Sequence, residues 1–187
     1  MKVRRIATGH DANGKAVFVS DTEVDGVPLS MLPGAEFHRL WGADTPPRFP
    51  DSGAQPDGPS YFPPLGGFRF MMFTVAPISV LQRSTIDPVA LAAEMEASLP
   101  GLAAHMEPKH PGMHTTDTID FEYIVSGEVW LELDEGVTAH LKAGDTVVQN
   151  GTRHAWRNKS TDPCVIVVFM VGVPRNPSGI EVARGSV

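Results

Sequence analysis

Two stretches set the architecture: His114-Thr115-Thr116-Asp117-Thr118-Ile119-Asp120, followed by Gly127, and Gly144-Asp145, followed by Gly151-Thr152-Arg153-His154-Ala155-Trp156-Arg157-Asn158. Each sets a histidine on an expected β-strand beside a glycine turn. The strand-rich segment between them is long enough to fold back, so two distant histidines can converge inside one small barrel. From residue 112 onward, strands are expected near 113–125, 128–133, 137–141, 145–149, 154–158 and 164–173. Turns at Ser126-Gly127, Asp134-Glu135-Gly136, Ala143-Gly144, Asn150-Gly151 and Thr161-Asp162-Pro163 separate them. Many short strands with regular turn spacing indicate an antiparallel sandwich or barrel.

Toward the N-terminus, Phe68 to Val75 reads as a strand closed by Pro77. A helix is expected over 88–99, with Asp87 as N-cap, Pro88 in the first turn, and Leu91, Met95, Leu99 and Leu102 at helical spacing before Pro100-Gly101 stops it. Residues 43–67 are dense in Pro, Gly, Asp and Ser and read as a long surface loop, either a lid or arm or a plain excursion. Residues 35–41 form a further expected strand, and 3–7 with 16–20 a hairpin around Asn13-Gly14. The chain therefore divides into an N-terminal β extension and loop (1–67), a barrel with a helical insertion at 87–106 (68–173), and a tail (174–187) with little to bury, expected to be partly disordered.

Composition narrows the function. A formal net charge of −7 leaves no basic face for phosphates, which argues against nucleic acid. No apolar run is long enough to cross a bilayer, and the basic N-terminus lacks the apolar stretch of a secretory signal, so a cytoplasmic protein is expected. The lone Cys164, inside an apolar run, reads as a small core residue.

Side chains on a strand alternate faces. If His114 points inward, so do Thr116, Asp120 and Glu122, unless a bulge intervenes; His154 and Trp156 share a face on the second strand. Two imidazoles and one carboxylate with open coordination positions suit iron(II), manganese or zinc. Glu122 beside Asp120 would be a second inward carboxyl, with one pKa raised, as a catalytic acid or base requires; the alternative is an exposed residue after a bulge. Tyr123, Trp156 and Thr116 are candidate substrate-pocket residues, with core packing the alternative for the aromatics. Arg153 and Arg157 are expected to be solvated on the opposite face.

The paired stretches resemble the two motifs of the cupin superfamily. The first of those motifs has two histidines one residue apart, a glutamate, then six residues to a glycine. Aligned on Gly127, its positions fall on His114, Thr116 and Asp120. The glycine, histidine and asparagine of the second motif match Gly151, His154 and Asn158, and its opening Gly-Asp matches Gly144-Asp145. The chain is also similar to small bacterial cupins with fungal relatives near secondary-metabolite genes. The resemblance implies an all-β jelly-roll barrel, with a divalent metal (Fe, Mn or Zn) held by His114, Asp120 and His154. Two departures bear on that metal: Thr116 replaces a histidine ligand, and Asp120 is one methylene shorter than glutamate.

The leading expectation is a metal-dependent enzyme acting on a small organic molecule by dioxygenase, decarboxylase or isomerase chemistry, with Glu122 as the proton-moving group. The alternative is a metal-free binding protein whose histidines hydrogen-bond a ligand. A homodimer is expected, with the N-terminal hairpin adding strands to a neighbouring subunit.

Overall fold

A hairpin opens the chain. In this computed structural model, which describes residues 1–30, 32–58, 60–81 and 87–176, β1 (Lys2–His10) and β2 (Ala16–Asp25) pair antiparallel as a sheet of their own. Asp11 accepts from the Asn13 and Lys15 amides at 2.8 and 2.9 Å, closing the expected turn. Then follow β3 (Val27–Pro28), β4 (Glu36–Ala43), β5 (Phe68–Val75), α1 (Ile78–Leu81) and α2 (Pro88–Ser98). After a 3₁₀ turn at Ala103–His105 come β6 (Thr118–Ser126), β7 (Glu128–Glu132), β8 (Thr138–Lys142), β9 (Thr146–Asn150), β10 (Ala155–Arg157) and β11 (Cys164–Gly172).

The strands form a six-stranded sheet in the order β3-β4-β5-β11-β6-β9 and a three-stranded sheet in the order β10-β7-β8, with every strand pair antiparallel. Period-two alternation sets what faces inward: Thr118, Asp120, Glu122 and Ile124 on β6 are buried, as are Cys164, Ile166, Val168 and Met170 on β11. Two apolar clusters fill the interior. One gathers Ile124, Val129, Cys164 and Ile166; the other joins Met71, Val168 and Met170 to Leu29, Tyr61, Met95 on α2, and Leu99 and Leu102 just after it. Asp87 caps α2 as expected, accepting from the Val89 amide at 2.8 Å.

The motif glycines have steric reasons. Gly127 has φ +74°, and a Cβ there would lie 2.5 Å from the Pro163 carbonyl oxygen; at Gly151, with φ +58°, it would lie 2.8 Å from that of Thr116. Asn158 is structural too. Its buried amide donates to the Val75 and Asp162 carbonyls at 2.9 and 2.8 Å, stapling the segment after β10 to the end of β5.

Two expectations are corrected. The strand expected from 113 begins at Thr118; His114 precedes it and makes isolated bridges to Met106 and His154, its amide and carbonyl both bonded to the backbone of His154. Beyond Ala43, where β4 ends, the 43–67 segment has no helix or strand among its described residues, yet it is not confined to the surface: Tyr61 and Pro63 are buried. In the tail, the Arg175 guanidinium donates to the Thr116 and Gly151 carbonyls at 2.6 and 3.1 Å and pairs with Asp117. The rest of the expected disordered tail, from residue 177, lies outside the described residues. No described helix is long and apolar enough to cross a membrane.

Candidate functional site

The two motif histidines meet through their backbones. His114 and His154 each donate an amide to the other's carbonyl at 3.0 Å, which brings their ring centroids to 4.1 Å. The Nδ1 of His114 lies 3.0 Å from the Gly112 carbonyl, and that of His154 lies 2.9 Å from the Thr152 carbonyl. A carbonyl only accepts, so each Nδ1 carries the proton and each Nε2 keeps a free lone pair. Burial lowers both pKa values. That of His154 falls to about 4, with the neighbouring His114 adding to the effect, so both rings are neutral near pH 7.

Both histidines line a cavity of about 230 Å³ between the two sheets. Asp120 and Glu122 on β6 form part of its wall, with Trp156 on β10 and the apolar Phe37, Phe62, Phe73 and Met95. Asp120 Oδ1 and Glu122 Oε2 are buried with no hydrogen-bond partner. Burial raises the Asp120 pKa to about 6, against a hydrogen bond from Thr118. Burial and then Asp120 push that of Glu122 well above the usual carboxyl range. Glu122 is thus an inward residue, not an exposed one after a bulge.

Two proposed pocket residues stand elsewhere. Tyr123 is about half exposed on the outer face of the sheet, because it alternates with the inward Glu122 and Ile124. Thr116 is buried but does not line the cavity; its hydroxyl shares a 2.8 Å hydrogen bond with that of Thr118. Trp156 does line it, edge-on to His154 at 6.1 Å between centroids. The flanking arginines are not simply solvated. Arg153 is forked onto Glu107 at 2.6 and 2.8 Å, and Arg157, part of the cavity wall, is spent on Glu132 at 2.5 Å and the Pro111 carbonyl at 2.6 Å.

Sequence reasoning missed Tyr61, Phe62 and Gln149. Tyr61 and Phe62 reach the cavity from the proline-rich loop, and Tyr61 packs edge-on against Phe37 at 6.0 Å. Its phenol pKa is raised by burial, then by Asp120. The signal was an aromatic pair inside an otherwise polar segment. Gln149, paired with Asp120 across β6 and β9, is buried with its Nε2 unpartnered. Its signal was a polar residue at an inward position of β9.

The donor chemistry fits a divalent ion: two neutral imidazoles with free Nε2 lone pairs, and a buried carboxyl oxygen lacking a partner. The spacing brings two of the three expected ligands together. Among the described residues, no group of three or more His, Cys, Asp or Glu side chains stands close enough to hold a metal. Asp120 shares the cavity without being drawn up to the histidine pair.

An antiparallel two-sheet barrel, with its paired motifs meeting at two interior histidines, defines a cupin. Residues 103–170 match the family described as the cupin domain, and the chain belongs to the cupin superfamily. It is 32% identical over 167 residues to Phomopsin biosynthesis cluster protein C' from Diaporthe leptostromiformis, covering 89% of this chain and 76% of that protein. It is 31% identical, with the same coverage, to Phomopsin biosynthesis cluster protein D of the same organism. Among solved structures, a predicted oxalate decarboxylase from Thermotoga maritima shares 13% identity and a TM-score of 0.43 over 80% of this chain and 94% of that one.

Proposed function

We propose that this protein is a metal-dependent cupin enzyme acting on a small organic molecule. One observation carries the reading: His114, His154, Asp120 and Glu122 line a single cavity where lone pairs lack partners, and its arginine, Arg157, is engaged elsewhere. Buried acceptors without donors are unfavourable by about 1–3 kcal/mol each, and a cation relieves them. His114 and His154 would hold the ion, with the Asp120 carboxylate on the wall of the same cavity offsetting its charge. When bound, it would supply Lewis acidity to a carbonyl or carboxylate oxygen of the substrate.

The chain's own residues do the rest. Glu122, kept protonated by burial and by Asp120, delivers a proton from its carboxyl and recovers one once it is ionised. Trp156, Phe37 and Phe73 orient the substrate and exclude water. The cavity is smaller than the ~300 Å³ at which drug-sized pockets begin, so the substrate is small. Relatives named for a biosynthesis cluster fit an enzyme of small-molecule metabolism. Decarboxylation, isomerisation and dioxygenation all draw on this combination of a metal and a mobile proton.

The test is the metal content per subunit of protein purified without an affinity tag or chelator, beside His154→Ala. The expected result is near one equivalent in the parent and little in the variant. No metal in either, after anaerobic reconstitution with iron(II), manganese and zinc, overturns the reading. It would favour a metal-free binding protein whose two Nε2 atoms accept hydrogen bonds from a ligand. The observation in favour of that second reading is that, among the described residues, no three donors stand close enough together to hold a metal.

A further inference from the structure

A second cleft, of about 590 Å³, lies where β4, the start of β5 and the segment 55–58 meet. Its lining shares no residue with that of the histidine cavity. Two arginines stand in it, and they are used differently. Arg69 is buried, and all five of its N–H groups are taken: by the Ser60, Ala43 and Phe68 carbonyls at 3.0, 3.0 and 2.9 Å, by Asp44 at 2.5 Å and by the Ser60 hydroxyl at 3.0 Å. Backbone lies against it, since a Cβ on Gly42 would come within 2.7 Å of Arg69 Cδ. Arg39 engages only its Nη2, on the Gly58 and Ser60 carbonyls, and the Ser60 carbonyl is the one that Arg69 Nε also uses. The Nε–Nη1 edge of Arg39 has no partner among the described residues, and neither atom is sealed from solvent.

We infer that this cleft binds a small organic carboxylate with a flat apolar body, held on the free edge of Arg39 and against Trp41. The Nε and Nη1 groups of a guanidinium lie in one plane and donate in parallel, which matches the two oxygens of a carboxylate. Gln55 adds a donor. Its Oε1 accepts from Arg5 Nη1 at 2.7 Å, and its Nε2 has no partner among the described residues. Trp41 and Pro56 supply apolar walls, and Arg5 stands over the Trp41 ring at 5.3 Å from its centroid. Charge favours an anion. Among the lining residues and those bonded to them, Arg5, Arg39 and Arg69 meet only Asp44 and Asp57, in a chain of net charge −7. Asp44 is committed to Arg69, and Asp57 is exposed, where solvent screens it. Burial, and then Arg69, lower the Arg39 pKa, as happens to a guanidinium short of negative charge.

The inference is independent of the proposed metal chemistry, because no residue lines both spaces. The two are nevertheless joined by the chain. The segment that lines the cleft runs on through Ser60 to Tyr61 and Phe62, which line the histidine cavity. Both arginines grip that connection at the Ser60 carbonyl, so an acid on Arg39 binds beside the loop that carries Tyr61, not among the histidines.

The test is isothermal titration calorimetry of the full chain with benzoate, beside benzamide, its uncharged analogue, and inorganic phosphate, which has the charge without the flat body. Benzoate is expected to saturate one site per chain with a Kd on the order of 1 mM or tighter, as suits so small a ligand. Benzamide and phosphate are each expected to bind at least ~10-fold more weakly. Arg39→Gln and Trp41→Leu should each weaken benzoate at least ~10-fold. Arg39→Lys keeps the charge and a donor for the Gly58 and Ser60 carbonyls but loses the parallel edge, so it gives the same direction if Arg39→Gln fails to fold. His154→Ala is expected to leave benzoate binding unchanged, which separates this cleft from the histidine cavity. No saturable binding up to ~20 mM benzoate overturns the inference. So does benzamide or phosphate binding as tightly as benzoate, binding that survives in folded Arg39→Lys, or binding that folded His154→Ala abolishes.

Discussion

Replacing Asp120 with asparagine should stabilise the metal-free protein, and by more as the pH rises. The carboxyl is buried, one oxygen has no partner, and its pKa is raised from 3.8 to about 6. A group whose pKa is raised on folding contributes stability below its unfolded pKa, and that contribution is lost as pH climbs through the folded value. Each tenfold change in proton affinity is worth about 1.4 kcal/mol. Between pH 4 and pH 7 the parent therefore loses about 2–3 kcal/mol, because the folded state must ionise a carboxyl that the interior solvates poorly. Asparagine has nearly the same shape and no charge to ionise. Urea denaturation of chelator-treated parent and Asp120→Asn at pH steps from 4 to 8 measures the difference. The expected result is near-equal stability at pH 4 and a variant advantage approaching ~3 kcal/mol by pH 7–8. A difference that does not change with pH, or a variant less stable at pH 8, refutes the reasoning, because it would mean that a cation or donor compensates the ionised carboxylate in the folded protein. A metal added back should reverse the sign, since the parent would then gain binding energy that the variant lacks.

His154→Gln should show the opposite pH dependence. The folded pKa of His154 is depressed from 6.5 to about 4, so its contribution is present above pH 6.5 and lost as pH falls toward 4; the variant's advantage should grow by about 3 kcal/mol over that window in the same urea series. Gly127→Ala should destabilise by about 2–4 kcal/mol in thermal or urea unfolding, since the added Cβ would lie 2.5 Å from the Pro163 carbonyl oxygen at a positive φ. Asn158→Ala should cost about 2–4 kcal/mol by stranding the Val75 and Asp162 carbonyls while leaving the metal content of the folded protein unchanged. Asp87→Ala should cost about 1 kcal/mol by uncapping α2, read by the same unfolding curves.

Local chemistry explains why much of the barrel could be read from the sequence. Asn13-Gly14 marked the first hairpin, Asp87-Pro88 the start of α2, and the two-residue alternation in β6 put Asp120 and Glu122 on the buried side and Tyr123, by the same parity, on the other. Placing Tyr123 in the pocket overrode that alternation in favour of aromatic character, and the structure returned it to the outer face. Motif spacing identified His114 and His154 because Gly127 and Gly151, which set it, sit at turns whose positive φ favours glycine.

Contacts between distant segments were not legible in this way. Nothing near Tyr61 in the chain predicts that a proline-rich loop folds inward to Phe37, since the contact depends on where β4 and α2 come to lie. Arg153 and Arg157 look like solvated charges until β7 and the turn before His114 bring Glu132 and Glu107 to them. Phe70, Phe169, Phe121 and Val148 stand side by side on the outer face of β5, β11, β6 and β9, a grouping invisible in sequence because only sheet register makes it. Alternation, turns and caps are settled within a few residues, so the strands, the helix start and the two interior histidines follow from the order of amino acids. The cavity wall, the partners of its charges and the apolar outer face arise only when the chain folds, because each is made by pairing across long separations in the chain.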